Sequence, residues 1–214
     1  MTETLTAQDL FRSAYDNRYT WDKNFPGYTA TATMKSGAEE HQAQVTIKSD
    51  LAFEVSEISN EIAQKSIKGQ LWEMTIHRVK HSFEESHGKN TFTFGEKDQD
   101  GGIEILVGGA SEGNSYKIKE NTVSFVNRRI RDKVVNINTL KTLVTEQGYL
   151  SEEYESFYIN PETQEKVTGV TTFIDKFEKV ADYYVLVKRT VNSTSPDGEQ
   201  QTVEYTFSDI KFAN

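Results

Sequence analysis

Residues Asn60 to Phe83 read NEIAQKSIKGQLWEMTIHRVKHSF. The segment has no proline, and its apolar residues recur at helical spacing. At 100° per residue, Ala63, Ile67, Leu71 and Met74 fall on one side of the wheel. Trp72, Ile76, Val79 and Phe83 gather on nearly the opposite side. A helix that is apolar on two sides does not sit on a surface with one side simply in water. It is sandwiched between layers, or it packs one side and presents the other to a ligand or partner. The spacing predicts one long helix over about residues 60–80.

Outside this segment most of the chain alternates with the two-residue period of strands. Tyr28, Ala30, Ala32 and Met34 share one parity, and Thr29, Thr31 and Thr33 share the other. Ser36-Gly37 turns the chain into a strand carrying Ala43, Val45 and Ile47, and a short strand over residues 51–55 follows. After Gly88 the strand segments are 91–95, 103–107, 116–119, 123–129, 134–140, 149–159, 167–177, 183–191 and 202–212. Turn signals such as KDQDGG, Glu120-Asn121, NPET and SPDGE separate them, as in an antiparallel meander. In the last strand, Val203, Tyr205 and Phe207 have one parity, while Ile210 and Phe212 have the other. That slip predicts a bulge near Ser208-Asp209.

Ahead of the strands, Leu10, Phe11, Ala14 and Tyr15 mark a helix from Ala7 to about Arg18, with Thr6 as N-cap and Asp9 as its acidic partner. The expected fold is mainly β, of the α+β class. A strongly curved antiparallel sheet, or incomplete β-barrel, of roughly ten or eleven strands carries an N-terminal helix and holds the long helix on its concave face. Tyr19, Trp21, Phe25 and Tyr28 surround Pro26-Gly27 and are expected to plug one end of the sheet. The 214 residues read as one domain.

Composition closes off several functions. The chain has no cysteine, which removes disulfides, thiolate nucleophiles and thiolate metal sites. Its formal charge of −9 disfavours phosphate-backbone recognition, and the densest basic run (Arg128, Arg129, Arg131, Lys133) reads as a solvated strand face. No apolar run reaches the ~20 residues of a membrane span. The first seventeen residues lack the basic, apolar and small-residue regions of a signal peptide, so a cytoplasmic or stromal location is expected.

Three segments resemble a known family: NRYTWDKNFPGYTA, QLWEMTIHRVKHSFEESHGKNTF and EILVGG. They are similar to an uncharacterised group of cyanobacterial and plastid proteins, a domain of unknown function, along essentially the whole chain. The resemblance implies a photosynthetic lineage and no particular activity. The order of helix, F-x-G-Y-x-A, long meander and inserted helix looks, more loosely, like periplasmic lipoprotein carriers. Those hold acyl chains in an open half-barrel lidded by helices.

His77 and His81 share a helix face one turn apart, with Glu73 a turn earlier, a spacing that could present two imidazoles and a carboxylate to zinc. Arg78 and Lys80 beside them oppose a dication, so no metal is expected there. The same cations, with His77 and His81, form a positive patch suited to a carboxylate or phosphate head group. The glycine-rich GGASEGNS loop matches neither the dinucleotide nor the P-loop pattern and reads as a floppy connection. No catalytic constellation and no cofactor motif is present.

The expected function is therefore non-catalytic: a binding protein or carrier for an amphiphilic or hydrophobic small molecule. Trp72, Ile76, Val79 and Phe83 would line the apolar part, and His77, Arg78, Lys80 and His81 the polar part. The alternative is an accessory protein that docks on a protein partner. Trp72 is placed at the open mouth, because Ile67, Leu71 and Met74 can pack on strands without leaving a polar atom to satisfy.

Overall fold

The computed structural model describes residues 5–195 and 197–213. It contains three helices: α1 (Ala7–Asp16), α2 (Glu61–Ile76) and α3 (Phe83–His87). The strands are β1 (Gly27–Ser36), β2 (Glu39–Lys48), β3 (Phe53–Ser56), β4 (Asn90–Lys97), β5 (Ile103–Gly109), β6 (Ser115–Lys119), β7 (Thr122–Ile130), β8 (Lys133–Thr145), β9 (Gly148–Ile159), β10 (Thr171–Val180), β11 (Tyr183–Thr194) and β12 (Gln200–Phe212). Their hydrogen-bonded order is β3-β2-β1-β12-β11-β10-β9-β8-β7-β6-β5-β4. The mainly β character and the meander agree with the sequence. The counts do not: there are twelve strands among the described residues rather than ten or eleven, and three helices rather than two.

The chain divides into two compact units that interleave along the sequence. One comprises Met1–Tyr19, His81–Thr172 and Thr194–Glu199; the other comprises Thr20–Lys80, Phe173–Ser193 and Gln200–Asn214.

In the first unit α1 packs on β4, β6 and β7. The Thr6 side chain accepts from the Asp9 N–H while Asp9 accepts from the Thr6 N–H, closing a capping box. The helix stops at Asp16, one half-turn short of the expected Arg18. Ala7, Phe11, Ala14 and Tyr15 form its buried stripe, against Phe83 of α3 and Ile105, Val107, Tyr116 and Ile118 of the sheet. The Phe11 and Tyr116 rings stack with centroids 4.4 Å apart. The GGASEGNS loop is tied down, contrary to expectation. Ala110 N–H donates to the Lys89 carbonyl, Ser111 N–H to Asn90 Oδ1, and the Asn114 side chain accepts from Arg129 N–H at 2.9 Å.

In the second unit α2 lies over one face of the strands. Ala30, Ala32 and Ala43 are small and buried, and α2 packs on β1 and β3 with Ala63, Ile67, Leu71 and Met74 buried. The Tyr28 hydroxyl points at Met74 Sδ, 3.9 Å away, and burial pushes this phenol's pKa well above its usual value. Trp21 and Phe25 stack with centroids 4.0 Å apart, and Tyr28, Tyr183 and Phe212 meet them edge-on. The aromatic area before β1 is thus core of this unit, while Tyr19 is buried in the other. Gly27 opens β1 at φ +81°, where a Cβ would strike the Ile47 carbonyl oxygen. The expected bulge in β12 is present: Thr29 pairs with Lys211 but Thr31 with Ser208, and Asp209 takes φ +54°.

Several strand and helix boundaries differ from the sequence reading, two of them by several residues. The strand expected over 167–177 begins at Thr171, after a single bridge between Ile159 and Lys166. The helix expected over 60–80 ends at Ile76. Its last turn holds Thr75 and Ile76, both β-branched, and the Thr75 hydroxyl bonds back to the Trp72 carbonyl. Arg78 O then accepts from Trp21 N–H at 3.0 Å, drawing the chain out of the helix. Ser82 and Glu85 close a new capping box and start α3.

Candidate functional site

The outer side of α2 is the candidate. With the Ala63–Ile67–Leu71–Met74 side taken by the sheet, Ile62, Gly69, Trp72 and Ile76 make a stripe on the opposite side. Trp72 is 58% exposed and Ile62 82%; a Cβ on Gly69 would meet nothing. Lys65 lies in this stripe and Lys68 at its border, both exposed. Beyond the helix, Val79 is half-buried, and Lys80 and His81 are exposed. The Arg78 guanidinium sits 5.4 Å from the centroid of the Phe177 ring and donates to the His77 carbonyl.

The residues expected to act together divide in two. Trp72 and Ile76 share the exposed face as expected, with His77 at the C-cap and Arg78, Val79, Lys80 and His81 following. Phe83 does not join them. It is 2% exposed in the other unit, ringed by Phe11, Tyr15, His87 and Phe92. The helical wheel placed it beside Trp72 only because the wheel was carried past Ile76, where the helix has ended.

Glu73 turns toward the sheet strand that carries Arg189. It accepts from Arg189 Nη1 at 3.1 Å. Among the described residues no group of three or more His, Asp or Glu gathers that could hold a metal ion.

The Arg189 cluster itself escaped the sequence reading. Arg189 is 4% exposed and grips Asp175, itself 6% exposed, through two bonds of 2.7 and 2.6 Å. Its Nη1 also donates to Gln70 Oε1 at 3.2 Å, and the guanidinium lies near the Phe173 ring. A turn away, the Ser66 and Tyr205 hydroxyls share a bond of 2.6 Å. One flank of α2, formed by Ser66, Gln70 and Glu73, is therefore anchored to the sheet by polar groups. The signal was available: Asp175 sits between Phe173 and Phe177 on one strand parity, and Arg189 follows Val185 and Val187 on the next strand. Opposite charges at inward positions of neighbouring strands mark a buried pair. Fully engaged in this way, the cluster offers no free base or nucleophile.

A family model described as "Protein of unknown function (DUF3386)" matches residues 2–213. The chain belongs to this family. The resemblance drawn from its three sequence segments therefore leads to a family of unknown function. No curated protein matches the DUF3386 chain. Among solved structures it is similar to the LolA superfamily protein NE2245 from Nitrosomonas europaea, at 9% identity and TM-score 0.36 over 99% of this chain and 95% of that one. It is also similar to a putative outer membrane lipoprotein-sorting protein domain from Vibrio parahaemolyticus, at 12% identity and TM-score 0.35 over 97% and 92%. A third likeness is to the Pseudomonas aeruginosa MucA/MucB complex, at 9% identity and TM-score 0.25 over 96% and 94%.

Proposed function

We propose that this protein is a non-catalytic binding protein for an amphiphilic small molecule, engaged by the outer side of α2. The observation that carries the reading is the exposure of Trp72 on a helix whose other side is already buried. A tryptophan left 58% exposed between Ile62 and Ile76 keeps apolar area in water that a ligand would cover. Lys65 and Lys68 stand along the stripe, so an apolar chain and an anionic head group both find partners.

Tryptophan fluorescence tests this directly, because the chain has two tryptophans and Trp21 is buried. Dodecyl phosphate below its micellar concentration should shift Trp72 emission to the blue and protect it from acrylamide. Replacing Trp72 by Phe should abolish both changes. An emission unmoved by alkyl phosphates, sulfates and carboxylates of eight to twelve carbons would overturn the reading. The second reading is docking on a protein partner. It is favoured by Ile62, which at 82% exposure extends the apolar stripe a full two turns beyond Gly69's neighbourhood at the helix start.

A further inference from the structure

We propose that Arg18 and Arg128 form a second binding site, for an oxyanion group such as a phosphate or carboxylate, within the first unit. This site is independent of α2.

Arg18 follows α1. Its Nε donates to the Tyr15 carbonyl at 2.9 Å and its guanidinium lies 3.6 Å from the centroid of the Tyr15 ring. That stacking fixes the plane of the guanidinium and leaves its two terminal nitrogens as donors. The Tyr15 ring is 5.1 Å from the His87 ring, and His87 is 6.0 Å from Tyr116. Tyr116 is paired with Val126, and both belong to the face covered by α1. Arg128 lies two residues along β7, on that same face, opposite Val135, which in turn is opposite Tyr158. The two arginines thus flank the face on which Tyr116 and Val135 are buried and Ile137 is half-buried.

Their charges reach common targets. Burial lowers the His87 pKa to about 4, and Arg18 and Arg128 both add to that effect. Both also act on the Tyr116 phenol, whose pKa burial raises. Yet neither guanidinium forms an ion pair among the described residues, in a chain with 33 acidic residues. Arg12, by comparison, is paired with Glu84 at 2.6 Å. Two unpaired like charges flanking one face of the sheet favour an anion beside them. Arg guanidinium matches oxyanions through paired N–H donors, and the Tyr116 hydroxyl, which makes no hydrogen bond to a described residue, supplies one more.

His87 is a built-in reporter. An anion held by Arg18 and Arg128 cancels their field, so the His87 titration midpoint, followed by NMR, should rise as inorganic phosphate is added and should saturate. Octyl phosphate should produce the same rise. If it does so at lower concentration, apolar surface such as half-buried Val126 and Ile137 is engaged and the source is an amphiphile; equal potency points to a free anion. Arg128→Gln and Arg18→Gln should each weaken binding by about tenfold or more, the loss of charge-assisted hydrogen bonds. Arg128 is exposed on its strand, so its variant keeps the fold even if the Arg18 variant does not. A His87 midpoint indifferent to both phosphates, or a rise that survives unchanged in Arg128→Gln, would overturn the site.

Discussion

Replacing Asp175 by Ala removes the carboxylate that holds Arg189 and leaves the guanidinium almost wholly out of water. Breaking one side of a buried ion pair costs about 3–5 kcal/mol, because the remaining charge is uncompensated. Glu73 still accepts from Nη1, although its side chain is 27% exposed. The loss should therefore fall near the lower end, about 3 kcal/mol. Removing both charges together, as Asp175→Leu with Arg189→Met, should cost far less, within about 1 kcal/mol of the parent, since apolar side chains of similar volume replace the pair. Gln70 and Glu73 then turn to solvent, which both already reach. Urea unfolding followed by tryptophan fluorescence is the assay, and it reports on the relevant unit because Trp21 and Trp72 both lie in it. A Trp72→Phe background leaves buried Trp21 as sole reporter. The reasoning fails if Asp175→Ala costs less than about 1 kcal/mol, or if the double variant is as unstable as the summed singles.

Three further outcomes are expected. Trp72→Ala should cost about 1 kcal/mol or less in the same urea assay, whereas Leu71→Ala one residue away should cost about 2–5 kcal/mol through the cavity it leaves; similar losses at both would remove the distinction between the two sides of α2. Because the His87 pKa is lowered on folding, the unfolded chain takes up its proton first: stability is complete above about pH 6.5 and falls as pH drops toward 4. Solvent reaching the half-buried ring holds this loss to about 1–2 kcal/mol, and His87→Phe should flatten that part of the pH–stability curve. Gly27→Ala should destabilise the second unit by about 1–3 kcal/mol, from the positive φ and the clash with the Ile47 carbonyl; an unchanged urea midpoint would contradict the geometry at that turn.

What the amino-acid sequence determined by itself was local. The Thr6–Asp9 box, the period-two strands, the β12 bulge and the two apolar sides of α2 all follow from residues a few positions apart. The Ser82-x-x-Glu85 box that begins α3 was equally local, and reading it would have ended the long helix in time to separate Phe83 from Trp72. Tertiary structure decided the partners. Arg189 meets Gln70 and Glu73 across separations of 119 and 116 residues, and a single-chain pattern cannot say which inward acid faces which inward base. Arg18 reads as a helix end and Arg128 as part of a solvated strand face until strand register and the Tyr15–His87–Tyr116 contacts relate them to one face. Periodicity shows which way a side chain points. Only pairing between distant strands and helices fixes what lies in front of it, because that choice is made by packing and desolvation summed over the whole fold.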